Sequence, residues 1–167
     1  IKFVLFVLLL PIVIATTNGF YKQLMAMPES FSLIFMKGII IYLLIHLFVY
    51  EPEPVYGYGH KIVSSIFKFV EPLVEIAPYF LPIYSLLLLV LFFFSNFVFK
   101  SHLIADAFIF FISFTLTMHM VFTARRLREE DKNAAKANYL FFMSLIYVTN
   151  IFILVLMFDL TLKEFSF

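Results

Sequence analysis

Long apolar runs separated by short polar segments dominate the sequence. Five stretches of about 16 to 22 residues carry almost no charge, and each approaches the roughly 20 residues that an α-helix needs to cross the hydrocarbon core of a membrane. Little of the chain lies outside these stretches, so no independent soluble domain is expected. The pattern therefore predicts an all-α protein that crosses the bilayer several times.

Prolines, glycines and charges between the runs indicate where the helices begin and end. We expect a first helix over residues 1–17, kinked near Val7 because Pro11 has no N–H for that carbonyl, and then a turn at Asn18-Gly19. The run lacks a small-x-small cleavage site, so we interpret it as a membrane helix and not a signal peptide. Further long helices are predicted over residues 31–50, 79–99, 103–123 and 139–162.

The region between the predicted helices over residues 31–50 and 79–99 is less regular. Residues 51–59 contain two prolines and two glycines, so we expect no helix there. Residues 60–76 are mixed, and their polar residues share one helix face, which suits a re-entrant or interfacial helix better than a lipid-exposed span. We predict a polytopic membrane helix bundle of five to six membrane-embedded helices, in one membrane domain over residues 1–167. The helix that contains His60 either spans or is re-entrant.

Composition and charge exclude several classes of protein. The chain is 63% hydrophobic and 14% charged, against roughly 45–50% and about 25% in soluble domains. Twelve basic and eleven acidic residues give a net charge of +1, so there is no basic surface for a phosphate backbone and nucleic acid is not a partner. The absence of cysteine excludes disulfides, thiolate nucleophiles and cysteine metal ligands.

Positive charges concentrate between the last two predicted helices. Five of them fall within about a dozen residues, and they are Arg125, Arg126, Arg128, Lys132 and Lys136. The positive-inside rule places this loop in the cytoplasm. We interpret the three arginines as a cytoplasmic anchor, and the alternative is a docking site for lipid headgroups or protein.

Ionisable groups inside membrane helices are costly, so each is a candidate functional residue. Lys37, His46, Asp106 and His119 meet this description. Asp106 lies near the start of its helix, where a headgroup or capping position is the alternative. His119 follows it by 13 residues, about 20 Å along a helix, so the two cannot share one metal, and we expect His119 to hydrogen-bond a neighbouring helix. We expect the same of Asn150.

Several segments occur in an order that is typical of one membrane enzyme family. Residues 56–64 read Tyr-Gly-Tyr-Gly-His-Lys-Ile-Val-Ser, and residues 77–85 read Ala-Pro-Tyr-Phe-Leu-Pro-Ile-Tyr-Ser. Together with residues 37–48, 114–123 and 146–150, they resemble the site-2-protease-like integral membrane metallopeptidases. In that family a Gly-His-Glu-x-x-His helix precedes an Ala-Pro-Tyr-Phe-x-Pro-x-Tyr-Thr segment. The resemblance covers most of the chain and implies a bacterial cytoplasmic (inner) membrane.

The catalytic residues of the family are incomplete in this chain. His60 matches the first histidine, but Lys61 stands at the glutamate position and Ser64 at the second histidine. The family's aspartate ligand corresponds to Asp106. Zinc hydrolysis needs about three protein ligands, an open position for water and a carboxylate base, and here two ligands remain without the base. We therefore expect no catalytic residue, no bound metal and no other cofactor.

The resemblance thus implies a non-catalytic protein that keeps the scaffold, a pseudoprotease acting as a structural or binding subunit of a membrane complex. Its expected partners are the lipid bilayer and other membrane protein subunits. A vestigial cleft would remain, lined by His46, His60, Lys61, Ser64 and Asp106. We expect Lys61 to form an ion pair there with Asp106 or with Glu71.

Two other functions are compatible with the sequence. The first is a proton- or ion-conducting or transporting subunit, whose relay would be Lys37, His46, Asp106 and His119. The second is a divergent intramembrane zinc peptidase that takes a further ligand from a partner. A continuous file of polar residues would favour conduction, whereas isolated polar pairs would favour helix packing.

Overall fold

A computed structural model describes residues 2–48, 53–99, 102–130 and 136–162. These residues form α-helices and no strand, which confirms the all-α prediction. The helices are α1 (Lys2–Ala26), α2 (Glu29–Phe48), α3 (Glu53–Ile66), α4 (Glu71–Phe80), α5 (Ile83–Phe99), α6 (His102–Glu130) and α7 (Lys136–Leu162). Parts of two predicted features, residues 51–52 of the expected break and Lys132 of the basic cluster, lie outside the described residues.

Four helices are long and apolar enough to cross a membrane, as predicted for a multi-pass protein. The segments are Phe3–Ala26, Glu29–Phe48, Ile104–Glu129 and Tyr139–Thr161. A fifth crossing results if α4 and α5 are counted as one broken span, since Val74–Phe80 and Ile83–Ser95 meet at a bend of 64°. The described chain thus has four or five candidate spans.

Two helices are longer than predicted. Helix α1 continues through Asn18-Gly19 to Ala26, so the prediction of a turn at Asn18-Gly19 is wrong. Asparagine and glycine favour turns where water can bind the freed backbone groups, whereas a membrane helix must satisfy its backbone internally. Helix α6 continues to Glu130, so Arg125, Arg126 and Arg128 lie on its last turns and not in a loop. Positive charges at this end are favourable for the helix dipole.

Prolines shape the middle of the chain differently from the prediction. Helix α3 begins at Glu53, so part of the expected break is helical. Pro54 is its second residue, where the missing N–H costs nothing. The helix predicted over residues 79–99 is instead divided at Leu81-Pro82 into α4 and α5, because Pro82 cannot donate the hydrogen bond that would continue α4.

The chain divides into two compact units, which are Met27–Met120 and the combination of Ile1–Ala26 with Val121–Phe167. In the second of these, α1 packs against α7, and Thr17 Oγ1 lies 3.0 Å from Tyr147 Oη. The interpretation of the chain as one membrane domain stays a prediction.

Within Met27–Met120, one stripe of α2 packs against α6. The buried residues of α2 recur every three or four positions, which places them on one face of the helix; they are Phe31, Phe35, Gly38 and Tyr42. A Cβ added at Gly38 would overlap Ser113 Oγ and the Phe110 carbonyl oxygen. The glycine therefore allows the two backbones to approach closely, as small residues do in membrane bundles.

Candidate functional site

A small cavity lies in the unit Met27–Met120, where α3, the α4–α5 bend and α6 meet. His60 of α3 and His119 of α6 both line it, together with Tyr56, Tyr84 and Pro78. The space open to the centre of a water-sized sphere is about 10 Å³, close to what one water molecule requires. The cavity therefore brings two histidines together but leaves little room between them.

Aromatic rings surround the two histidines. The His60 ring meets the Tyr79 ring edge-on at a centroid distance of 5.4 Å and lies 6.3 Å from that of Tyr56, one turn earlier on α3. Tyr56 is also 6.1 Å from His119. The phenol of Tyr84 donates a hydrogen bond to the Val55 carbonyl and so ties α5 to the first turn of α3.

Helix α3 can approach the start of α5 because Gly59 has no side chain. A Cβ added there would lie 2.7 Å from the Tyr84 ring and 2.8 Å from Ile83 Cγ2, which is shorter than carbon atoms approach in proteins. The glycine before His60, which carries part of the family resemblance, thus has a packing role of its own.

Ser64 provides a hydrogen-bond donor to the bent helix pair. Pro78 has no N–H, so the Val74 carbonyl, four residues earlier, loses its normal helical donor. Ser64 Oγ donates to that carbonyl at 3.4 Å. In a membrane an unsatisfied carbonyl costs several kcal/mol, so the Ser64 hydroxyl stabilises α4.

His119 donates a hydrogen bond to a second carbonyl of the α4–α5 pair. The N–H of Ile83 would be the helical donor to Tyr79, but it bonds to the Leu81 carbonyl at 2.9 Å. His119 Nε2 lies 3.1 Å from the Tyr79 carbonyl oxygen. A carbonyl only accepts, so Nε2 carries the proton, and in this arrangement it is not a metal ligand. This bond is the contact with a neighbouring helix that was predicted for His119.

A second polar contact joins α5 to α6 near the cavity. Ser85 Oγ and Thr115 Oγ1 are 3.0 Å apart, and Ser85 is almost fully buried. Thr115 also donates within its own helix to the Phe111 carbonyl at 2.9 Å. Small hydroxyl residues of this kind hold membrane helices together by hydrogen bonds.

The other members of the predicted cleft do not line this cavity. His46 stacks on Tyr42 at 5.9 Å, and the Tyr42 ring meets Phe114 of α6 at 5.2 Å. The Lys61 side chain is exposed and its amine lies 5.8 Å above the Tyr58 ring. Asp106 is exposed and is about 20 Å from His119 along α6.

The predicted pairing of Lys61 has no support in the described part of the chain, where no ion pair involves Lys61 or Asp106. Nothing is described of the Glu71 side chain. Of the five predicted cleft residues, the structure thus places His60 at the cavity and Ser64 on the adjoining carbonyl. His119, which was not predicted to line the cleft, is the second histidine of the cavity.

The remaining predicted residues are placed as follows. Asn150 is buried in α7, where its Nδ2 donates to the Ile146 carbonyl of the same helix at 2.9 Å. Arg125 Nε donates to the Glu129 carboxylate at 3.1 Å. Lys37 is exposed on α2. None of these residues lines the histidine cavity.

A larger cavity between α5 and α6 has no chemical groups of note. Its volume is about 300 Å³, and its lining includes Leu88, Phe92, Phe108 and Phe111, with Ser95 the one polar side chain. The histidine cavity is therefore the better candidate for a functional site.

No three His, Cys, Asp or Glu residues of the described segments are close enough to one another to hold a metal ion. No family model matches the chain, and no curated protein or solved structure is significantly similar to it. The resemblance to the site-2-protease-like family consequently remains a prediction from the sequence segments.

Proposed function

We propose that this chain is a non-catalytic integral membrane protein with a degenerate site-2-protease-like scaffold. In this proposal it acts as a structural or binding subunit of a membrane complex, and the membrane is a bacterial cytoplasmic membrane. One observation carries the proposal. Ser64 and His119 both donate hydrogen bonds to carbonyls of the bent α4–α5 pair. These two polar side chains are thus engaged in holding the scaffold together.

The chemistry of the cavity supports the same function. A catalytic zinc ion needs three protein ligands and an open position for water, whereas this cavity has room for about one water molecule. His60 is bordered by the rings of Tyr56 and Tyr79. Lys61, which replaces the family's glutamate, points away over Tyr58 and offers no general base.

The arrangement also supports a bundle of five to six membrane-embedded helices. Helix α3 has 14 residues, about 21 Å at 1.5 Å per residue, which is too short for a core of about 30 Å. We propose that α3 is the re-entrant or interfacial helix and that α4 and α5 together form one crossing.

The two alternative functions lack such support. The four groups of the proposed relay do not form one file. His46 stacks on Tyr42 and His119 bonds to a backbone carbonyl, while Lys37 and Asp106 are exposed. Isolated contacts of this kind favour helix packing over conduction. A zinc peptidase would need both a base and a further ligand from another chain.

Purification of the full chain tests the proposal. The protein is extracted in mild detergent through a C-terminal tag, and the same sample is analysed for zinc and, by mass spectrometry, for co-purifying proteins. We expect stoichiometric membrane protein partners and no stoichiometric zinc. About one zinc per chain, or a chain that purifies alone, would contradict the proposal.

The double variant Lys61→Glu with Ser64→His is the matched comparison for the metal measurement. It restores the His-Glu-x-x-His pattern, in which two histidines four residues apart share one helix face. Zinc in this variant and not in the wild type would assign the loss of metal binding to these two positions.

A further inference from the structure

Lys37 is a charge on the outer face of α2, about 12 Å along the helix from Glu29, the exposed acidic residue with which the helix begins. The stripe that packs on α6 is centred between Phe35 and Gly38, and at about 100° per residue Lys37 lies about 130° around the helix from its centre. Apart from Lys37 and the first two residues of α2, the exposed residues of this face are apolar, and they include Leu33, Met36, Ile40, Ile41 and Leu44. Lys37 is exposed in the middle of them.

Lys37 also lies deep in its span. It follows Glu29 by eight residues and precedes Phe48 by eleven, which is about 12 and 16 Å along the helix axis. Lysines near helix ends extend their amines to the interface, but Lys37 is two turns from the nearer end. A charge at this depth is costly unless it faces a partner.

The described part of the chain supplies no such partner. No ion pair or hydrogen bond of Lys37 is found there. Asp106 belongs to α6, which packs on the opposite side of α2. The exposed side chains of α5 that the structure describes are, by contrast, all apolar, with Leu87, Val90 and Leu91 among them. A face of that composition suits lipid, and the face around Lys37 does not.

We infer that the outer face of α2 binds a transmembrane helix of a different protein, and that this helix carries an aspartate or glutamate at mid-depth to pair with Lys37. The inference rests on the proposed function as a binding subunit and names the surface and the chemistry of the partner. Charge complementarity fixes the choice, since a carboxylate neutralises the lysine while apolar residues cover the neighbouring positions.

A defined peptide probes this surface directly. The labelled protein is reconstituted into vesicles of phosphatidylcholine with a minor fraction of phosphatidylglycerol. Energy transfer to a labelled leucine-based transmembrane peptide of about 21 residues, with one central aspartate, is compared with transfer to the same peptide carrying leucine there. We expect the aspartate peptide to associate about tenfold more tightly with the wild type.

Substitutions assign the effect to one residue. Lys37→Leu should abolish the preference for aspartate, and Lys37→Arg should keep it. Lys22→Leu is the matched control, because Lys22 is an exposed lysine near the end of α1 and its removal should change nothing. Circular dichroism checks that each variant retains its helix content.

Equal binding of the two peptides by the wild type would overturn the inference. So would energy transfer between wild-type copies that is lost in Lys37→Leu, since the partner would then be a second copy of this chain. If the peptides bind equally but stoichiometric partners still co-purify, the surface is refuted while the binding function stands. If no partner co-purifies, the proposed function itself fails.

Discussion

Replacing Gly38 by alanine tests the close contact between α2 and α6. The new Cβ would overlap both the Ser113 hydroxyl and the Phe110 carbonyl oxygen, and it would lie 3.2 Å from the Phe114 nitrogen. The hydroxyl is able to rotate, but the carbonyl belongs to the backbone of α6. The substitution therefore forces the two helices apart and cannot be absorbed by one side chain.

The size of the effect follows from that separation. Restoring an ordinary contact distance to the carbonyl requires a shift on the order of 1 Å, and a gap of this size forfeits a quarter to a half of the contact energy along the stripe. Overpacking of this kind costs about 1–3 kcal/mol, and alanine returns up to ~1 kcal/mol of helix propensity. We expect the variant to be about 1–2 kcal/mol less stable than the wild type.

The free energy of unfolding is measured by titrating the detergent-solubilised protein with sodium dodecyl sulfate and following the helical signal. The double variant Gly38→Ala with Ser113→Gly removes the side-chain overlap and leaves that with the Phe110 carbonyl. It should recover part of the loss but not all of it. Equal or greater stability of Gly38→Ala alone would refute the close approach of these helices.

Three further substitutions and one control variant are measured by the same unfolding titration. Ser85→Ala removes the hydrogen bond to α6 and should cost about 0.6 kcal/mol of stability. Thr117→Ala is the control and should cost less, because the Thr117 hydroxyl bonds within its own helix. Equal losses of stability in the two variants would count against the interhelical bond. Tyr84→Phe removes the bond to the Val55 carbonyl and should cost about 1 kcal/mol. His119→Leu leaves the Tyr79 carbonyl without its donor and should cost about 1–3 kcal/mol, and an unchanged midpoint would exclude that role.

The apolar runs predicted most of the long helices, because the length and hydropathy of a membrane helix reflect the thickness of the bilayer. The helix predicted over residues 31–50 is Glu29–Phe48, and the one predicted over 139–162 is Lys136–Leu162. Turn rules were less reliable. They describe backbones whose freed groups bind water, and in lipid the same Asn18-Gly19 pair remains helical.

The site was predictable only in part. His60 was identified through a resemblance, and the hydrogen bond of His119 to another helix through the cost of a polar group in lipid. Its acceptor was not predictable, because Tyr79 is 40 residues away and its carbonyl is available only once the helix is broken at Leu81-Pro82. A proline rule indicates that a carbonyl is freed, but it does not indicate which helix supplies the donor.

The broken α4–α5 pair gives Ser64 and His119 a structural role that needs no catalysis. Its carbonyls at Val74 and Tyr79 need donors whether or not a metal is bound, because no water is available in the hydrocarbon core. A hydroxyl or a neutral imidazole meets that need, whereas an apolar side chain does not. Ser64 and His119 are therefore constrained by the backbone beside them. A histidine in this position is consequently no evidence for a metal site unless its partner has also been identified.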